Sequence, residues 1–379
     1  KAVLMENPQQ RQRNYIRLNL ADGIGAVRTN QLIEHFGSIE EIFKSNANQL
    51  QQIDGIGPKL AHAIISISDD DVEKELALAE KYEVQILCIK DAEYPAALKR
   101  IYDPPPVLYV RGRLDQADAV ALAVVGARRC THYGLEQSGR FAGLLARAGF
   151  TVVSGGARGI DAAAHRGAIS AGGRTIAVMG CGLAKTYPPE NKNLFDEIVS
   201  QDKSAIISEL PMSVEVKGQN FPKRNRIIAG LALGVLVVEA SRRSGSLITA
   251  RLALEQGKEV FAIPGKVDSP FSSGTNALIA RGSAALVSSL EDILENLDHL
   301  GEVITEQGPI IESPVRNIAL NEKEATLIKH LSTDELSLDE LIRRSGLSAG
   351  EVSATMTILA IKGLITQQPD GKFAANRRV

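Results

Sequence analysis

The sequence predicts an α/β protein built on a mostly parallel sheet with helices on both faces. A helix-hairpin-helix-like domain precedes the sheet and a winged-helix domain follows it. Three observations predict this. Short β-branched runs recur between about Val84 and Leu297, separated by amphipathic helical stretches. Repeated strand–helix units of this kind give a parallel sheet. A Gly-Ile-Gly turn appears twice near the N-terminus, at Gly23–Gly25 and Gly55–Gly57. Residues 318–375 read as three helices and a short hairpin.

Residues 1–67 are expected to be helical, with an internal repeat. Asp22-Gly23-Ile24-Gly25 precedes a helical stretch at Ala26–Phe36, and Asp54-Gly55-Ile56-Gly57-Pro58-Lys59 precedes another at Leu60–Ile67. Glycine permits the tight turn and leaves backbone N–H groups available to an anion. Residues 1–90 carry ten Lys/Arg against thirteen acids, which favours a scaffolding or interaction role over DNA binding. Residues 68–83 form a charged helical connector. The sheet domain, 84–300, has strand-like runs at Val120–Val125, Thr151–Val153, Thr175–Met179, Ser204–Ile207, Gly234–Val238, Glu259–Ile263 and Ala285–Val287. Ligands of such sheets bind beyond the carboxyl ends of the strands. Residues 301–317 read as a linker, with Gly, Pro and no periodicity. In 318–379 helices are expected at Glu322–Leu331, Leu338–Arg344 and Ala349–Lys362. The last is capped by Ser348 with Glu351 three residues on, and a hairpin lies around Pro369–Lys372. This domain has eight Lys/Arg and eight acids, and its third helix holds only Glu351 and Lys362 as charges. A DNA reader is ordinarily more basic, so a protein-contacting role competes with DNA reading.

Composition bounds the function. The chain has 379 residues, 44% hydrophobic and 23% charged, with a net charge of −2. Two or three domains are expected, and any nucleic-acid contact must be a local patch. Cys88, Cys130 and Cys181 are scattered, with no CxxC or Cys/His metal spacing, so neither a disulfide framework nor a metal site is expected. A cytoplasmic location fits this usage. The first residues contain no apolar signal core, and there is no apolar run of about 18 residues. The chain starts at Lys1, so preceding residues are expected to be missing or processed. With 4% aromatics and no Trp, a broad base-stacking platform is not expected.

The local patch lies in Phe221–Lys258, with seven Lys/Arg against two acids. Phe221-Pro222 opens a helix whose first turn carries Lys223, Arg224, Asn225 and Arg226. Cations there oppose the helix macrodipole, an arrangement that an incoming anion would relieve. Ser241-Arg242-Arg243-Ser244-Gly245-Ser246 forms a second cationic turn after Val235–Glu239, and Ser272–Asn276 a further polar turn. Gly126-Ala127-Arg128-Arg129 follows another strand and suits a polyanion better than a dinucleotide, which would need small residues and a GxGxxG spacing; the other reading is that the arginines cap the following helix or meet surface acids. Ser154-Gly155-Gly156-Ala157-Arg158-Gly159-Ile160-Asp161 can form an anion nest. Asp161 and His165 read either as a general acid/base pair or as a helix cap with a histidine that bonds a backbone carbonyl or Asp161 itself. Tyr187, in Thr186–Asn191, could stack on a base or pack at an edge. No P-loop, G-x-S-x-G or HExxH motif occurs.

The succession VVGAR, SGGARGIDAAAH, TYPPEN, FPKRNRIIAGL, EASRRSGSLITARLALEQGKEVFAIPG and SSGTNALIARGSAALV resembles the DNA-processing protein A (DprA/Smf) family over about Val84–Leu297. The terminal regions are similar to additions on some members. The resemblance implies an extended Rossmann-like domain that binds single-stranded DNA without sequence preference. It also implies a role as a recombination mediator loading RecA recombinase on incoming DNA during natural transformation, with homodimerisation through that domain. It implies no enzymatic activity and no cofactor. Carried over by motif, the contacts are Arg128, Lys223, Arg224 and Asn225, with Phe221 as a stacking group and Gly155, Gly156 and Gly159 in the glycine turn. Arg242, Ser244, Gly245 and Ser246 belong to the second cationic turn. The alternative is a nucleotide-binding enzyme of phosphoribohydrolase type, using Glu209 and Glu239. Such an enzyme would carry a Gly-Gly-x-Gly-Thr loop before a catalytic Glu, where this chain has SRRSGSLITA.

Overall fold

The computed structural model describes residues 7–200, 204–297, 320–332, 334–361, 364–368 and 371–375. The expected linker 301–317, the hairpin residues Pro369 and Asp370, and Lys362 lie outside these. Nine strands form one sheet: β1 (Val84–Cys88), β2 (Val107–Gly112), β3 (Ala121–Val125), β4 (Thr151–Ser154), β5 (Thr175–Val178), β6 (Ala205–Ser208), β7 (Gly234–Val237), β8 (Glu259–Ala262) and β9 (Ala285–Leu286). Their order is β1-β2-β6-β5-β4-β3-β7-β8-β9. The seven sequence-legible runs are all strands. The two the sequence did not reveal, β1 and β2, pair antiparallel with each other, and β2 pairs antiparallel with β6. Only a four-residue helix, Ala96–Lys99, lies between β1 and β2, too short to show the strand–helix rhythm that marks the parallel strands. The chain falls into two compact units, Lys1–Asp115 with Gly155–Ala157 and Ile176–Gly230, and Gln116–Ser154 with Arg158–Thr175 and Leu231–Val379.

In the first unit the Gly-Ile-Gly repeat folds as two like turns. Gly23 and Gly55 have φ of 83° and 77°, backbone that L side chains avoid. Gly25 and Gly57 are extended and begin the helices Ala26–Phe36 and Pro58–Ser66. Ile24 and Ile56 are buried between the glycines. The connector is the helix Asp69–Lys81, with a Ser68/Asp71 capping box and three acids in its first turn, which the helix dipole favours. Its buried Glu75 accepts from the Met212 amide at 2.7 Å, tying the connector to the segment after β6.

In the second unit β3 pairs parallel with β4 and β7, and β7 with β8. Strand residues Leu122, Val124, Val152, Leu236 and Phe261 pack with Phe141, Leu145, Ile160 and Ala164 of the helices His132–Arg147 and Ile160–Ser170 in one buried cluster. Each large side chain so buried is worth about 1.5–3 kcal/mol. The buried pair Arg174–Asp118, at 2.8 Å, links the segments just before β5 and β3 across the start of the intervening β4, whose Thr151 also donates to Asp118. The winged helix has helices Glu322–Leu331, Leu338–Ser345 and Ala349–Ile361, and a wing of Ile365–Gln367 antiparallel to Phe373–Ala375. No helix among the described residues is long and apolar enough to cross a membrane.

Candidate nucleic-acid interface

The second unit presents the carboxyl ends of β4, β3 and β7 side by side, because these strands are parallel neighbours. β3 runs into Gly126–Thr131, where Arg128 and Arg129 are exposed. Glu239, just past β7, holds this turn. Its backbone carbonyl accepts from the Ala127 amide at 2.8 Å. Its carboxylate accepts from the Thr131 amide at 2.8 Å and the Thr131 hydroxyl at 2.5 Å. Thr131 in turn caps the helix His132–Arg147 by accepting from the Gly134 amide at 3.1 Å. A Cβ on Gly134 would lie 2.5 Å from Glu239 Cδ, so only glycine admits the carboxylate.

Gly159 braces the same turn from β4. Its φ is 75°, and a Cβ there would stand 2.5 Å from the Ala127 carbonyl oxygen and 2.8 Å from that of Arg128. Arg158, beside it, is exposed. After β7, Arg242 and Arg243 are exposed at the tip of a turn closed by the Ser244 amide on the Ser241 carbonyl at 3.0 Å. Ser244 and Ser246 hydroxyls meet at 2.8 Å. Gly245 is exposed and precedes the helix Ser246–Glu255, whose first residue is buried. Gly274 supports the turn from below: its amide donates to the Ala240 carbonyl at 2.7 Å, and a Cβ would clash with that oxygen.

The first unit holds the other predicted residues. Gly155 and Gly156 are buried. Gly156 has φ of 62°, and a Cβ on it would press on Phe195 at 2.9 Å. The Gly156 and Ala157 carbonyls accept from Asn191 Nδ2 at 3.0 and 3.2 Å. Phe221, half-buried, packs against Gly180 and lies 5.6 Å, centroid to centroid, from the tilted Tyr187 ring. Tyr187 is therefore a packed edge residue.

The basic cluster on the helix Asn220–Leu231 is divided by burial. Lys223 is exposed. Arg224 is 5% exposed and donates to the Gly155 carbonyl at 2.7 Å and to the Val178 carbonyl. Arg226 pairs with Asp103 and Glu209, both at 2.7 Å. Burial pulls its pKa down, and the two carboxylates more than compensate, so it stays firmly charged. Asn225 is buried. This corrects the sequence expectation of an opposed macrodipole awaiting an anion. Two of the three cations already have internal partners, and Arg224 is placed as a brace under the glycine turn rather than as an exposed phosphate contact.

Asp161 and His165, the candidate acid and base, are buried, and the helix cap is Gly159 rather than Asp161. His165 Nδ1 meets the Thr175 hydroxyl at 2.7 Å in a fully buried site, and Thr175 donates to the Val152 carbonyl. Asp161 lies in the first turn of its helix, where a negative charge suits the dipole. Glu209 is engaged by Arg226 and Glu239 by Thr131. Among the described residues no cluster of His, Cys, Asp or Glu is arranged to hold a metal ion. The Cys130 thiol is pushed up by burial, then by Glu239 and Asp161. Arg129, Arg158 and Arg243, which the sequence named only as members of candidate anion-binding turns, stand exposed beside the residues carried over by motif. Their signal was present, since each lies in a turn that directly follows a strand.

Parallel strand ends that carry exposed arginines on glycine-braced turns define an α/β protein whose strand edge is electropositive, chemistry suited to an anion. The sequence profile of "DNA recombination-mediator protein A" matches residues 85–298, that of the "DprA winged helix domain" residues 312–371, and that of the "SAM-like Helix-hairpin-helix tandem" residues 17–68. The chain belongs to the DNA recombination-mediator protein A (DprA/Smf) family. It is 34% identical to Protein Smf of Synechocystis, across 93% of this chain and 95% of that one. It resembles the crystal structure of DNA processing protein A from Streptococcus pneumoniae at 36% identity and a TM-score of 0.65, covering 74% of this chain and 97% of that one. It also resembles DNA processing protein A from Helicobacter pylori, described with a single-stranded DNA binding mode. That match has 30% identity and a TM-score of 0.50, covering 56% of this chain and 95% of the other.

Proposed function

We propose that this chain binds single-stranded DNA along its backbone and acts as a recombination mediator without a catalytic step of its own. The observation that carries the reading is the set of exposed arginines, Arg128, Arg129, Arg158, Arg242 and Arg243, in turns after three adjacent parallel strands. Cations spaced along one edge fit a chain of phosphates better than a single small anion. They read backbone rather than sequence. The first unit offers contacts of its own, the exposed Lys223 and the half-buried Phe221 beside it. The likeness to the single-strand-binding relative from Helicobacter pylori supports this. Glu209 and Glu239 already have partners, so no observation favours the phosphoribohydrolase alternative.

Family membership supports the finer reading. The DNA held here is handed to a RecA-type recombinase, as incoming DNA in natural transformation would require. The chain works in the cytoplasm as a homodimer through the Rossmann-like domain, with no cofactor. The test of binding is a filter-binding titration of single-stranded and duplex oligonucleotides across a salt series. Tighter single-strand binding that weakens steeply with salt supports the reading. Equal affinity for both forms, or indifference to salt, overturns it. RecA loading is tested separately, by whether the chain speeds RecA-driven strand exchange on DNA coated with single-strand-binding protein.

A further inference from the structure

The third helix of a winged helix ordinarily reads the major groove. Here that helix, Ala349–Ile361, has little left to read with. Among its described side chains only Ala349, Gly350 and Ser353 are exposed. Its one described charge, Glu351, is held by Lys323 at 2.8 Å and by the Ser348 amide and hydroxyl. The remaining surface is divided between two cores. Val352, Met356 and Leu359 pack with Leu327, Leu331 and Leu341 inside the winged helix itself. Ala354 and Ile358, one turn apart on another face, join the cluster of the sheet domain that contains Phe141, Leu145 and Phe150.

The contact is specific in its geometry. A Cβ built on Gly149, in the helix-to-β4 connection with φ of 92°, would have Ile358 Cδ1 at 3.9 Å, Asn321 Nδ2 at 3.8 Å and Glu324 Oε1 at 4.0 Å. Two helices of the winged helix therefore converge on one backbone bend of the sheet domain. The capping boxes of the three helices provide an internal comparison. Glu340 and Glu351 are half-buried in theirs. Glu324, which faces Gly149, is completely buried. A carboxylate at a helix start loses its water only when something covers it.

We propose that the face of Ala349–Ile361 formed by Ala354 and Ile358 is a docking surface for this chain's own sheet domain. The third helix thus serves to hold the winged helix in place and does not present itself to a DNA groove. The absence of basic residues on that helix, puzzling for a DNA reader, follows from this role.

The test is hydrogen exchange on the full chain, with duplex binding measured in parallel, for wild type, Ile358→Glu, Ala354→Glu and Ser353→Glu. Undocking in the first two variants is expected to speed exchange at least tenfold in 141–150, while Leu327–Leu331 stays protected by the winged helix's own core. Ser353→Glu is expected to match wild type in exchange and in duplex affinity. Unchanged exchange at 141–150 in folded Ile358→Glu and Ala354→Glu overturns the proposal. So does a loss of duplex affinity in Ser353→Glu, which would show that the helix reads DNA. Should Ile358→Glu unfold the winged helix, lost protection at Leu327–Leu331 reports it. Ile358→Ala is then read at 141–150, where faster exchange supports docking and no change overturns it.

Discussion

Lys223, Arg224 and Arg226 lie within four consecutive positions and differ entirely in what they do. Lys223 reaches solvent, Arg224 is buried under the Gly155 carbonyl, and Arg226 is shared by two carboxylates. Lys223→Ala should therefore leave stability within about 0.5 kcal/mol of wild type and weaken single-strand binding. The slope of log affinity against log salt should shrink by about 0.7, the value of one lost phosphate contact on a single strand. Arg224→Ala should instead destabilise by about 2–3 kcal/mol, because buried carbonyls lose a charged donor. Arg224→Lys should not restore the loss, since an ammonium lacks the planar fork. Urea unfolding beside filter binding separates the two effects. A charge run is legible in sequence, but its division into contact and scaffold is not. The partners that decide it, Asp103 and Glu209, stand 123 and 17 residues away from Arg226.

At the scale of the turn and the helix, glycines that look alike in the sequence differ in necessity. Gly159 has positive φ and backbone oxygens where a Cβ would sit. Gly159→Ala should cost about 3 kcal/mol, from left-handed backbone strain and overpacking together, and should displace the Arg128 turn. Gly245 has φ of −64° and open space around it, so Gly245→Ala should change stability by no more than about 0.5 kcal/mol. Thermal unfolding of the two variants checks the contrast. Capping supplies a pH prediction. The Lys323 ammonium, then the Ser348 hydroxyl and amide, hold the Glu351 carboxyl down at about 2, against an ordinary value of 4.5. A depressed folded-state pKa contributes stability above the unfolded value and loses it as pH falls through the folded one. The cap of the third winged-helix helix should thus be intact above pH 4.5 and loosen toward pH 2. The Ser348 amide resonance followed by NMR should show this transition, and Glu351→Gln should abolish it. The Ser-x-x-Glu spacing announced this cap in the sequence. It could not announce β1 and β2, which are joined through a helix of only four residues, Ala96–Lys99, too short to show the alternation that exposed the seven parallel strands.

For the whole molecule, a net charge of −2 says little about partners, because binding depends on where the charges stand. Replacing Arg128, Arg129 and Arg242 together by Ala should reduce the salt slope of single-strand binding by about 2, roughly 0.7 for each contact. Leaving duplex and single-strand affinities unequal but the slope untouched would place the phosphates elsewhere. The sequence by itself determined the strand–helix alternation, the paired Gly-Ile-Gly turns, the cap of the third winged-helix helix and the ordered motifs of the family. These are local patterns, written in neighbouring residues. Only the tertiary structure decided which arginines stay in water and which become braces, that Glu239 locks the Arg128 turn, and that Ile358 leaves its own domain's core for another. Burial and pairing are made by segments far apart in the chain, and no local pattern records which of them will meet.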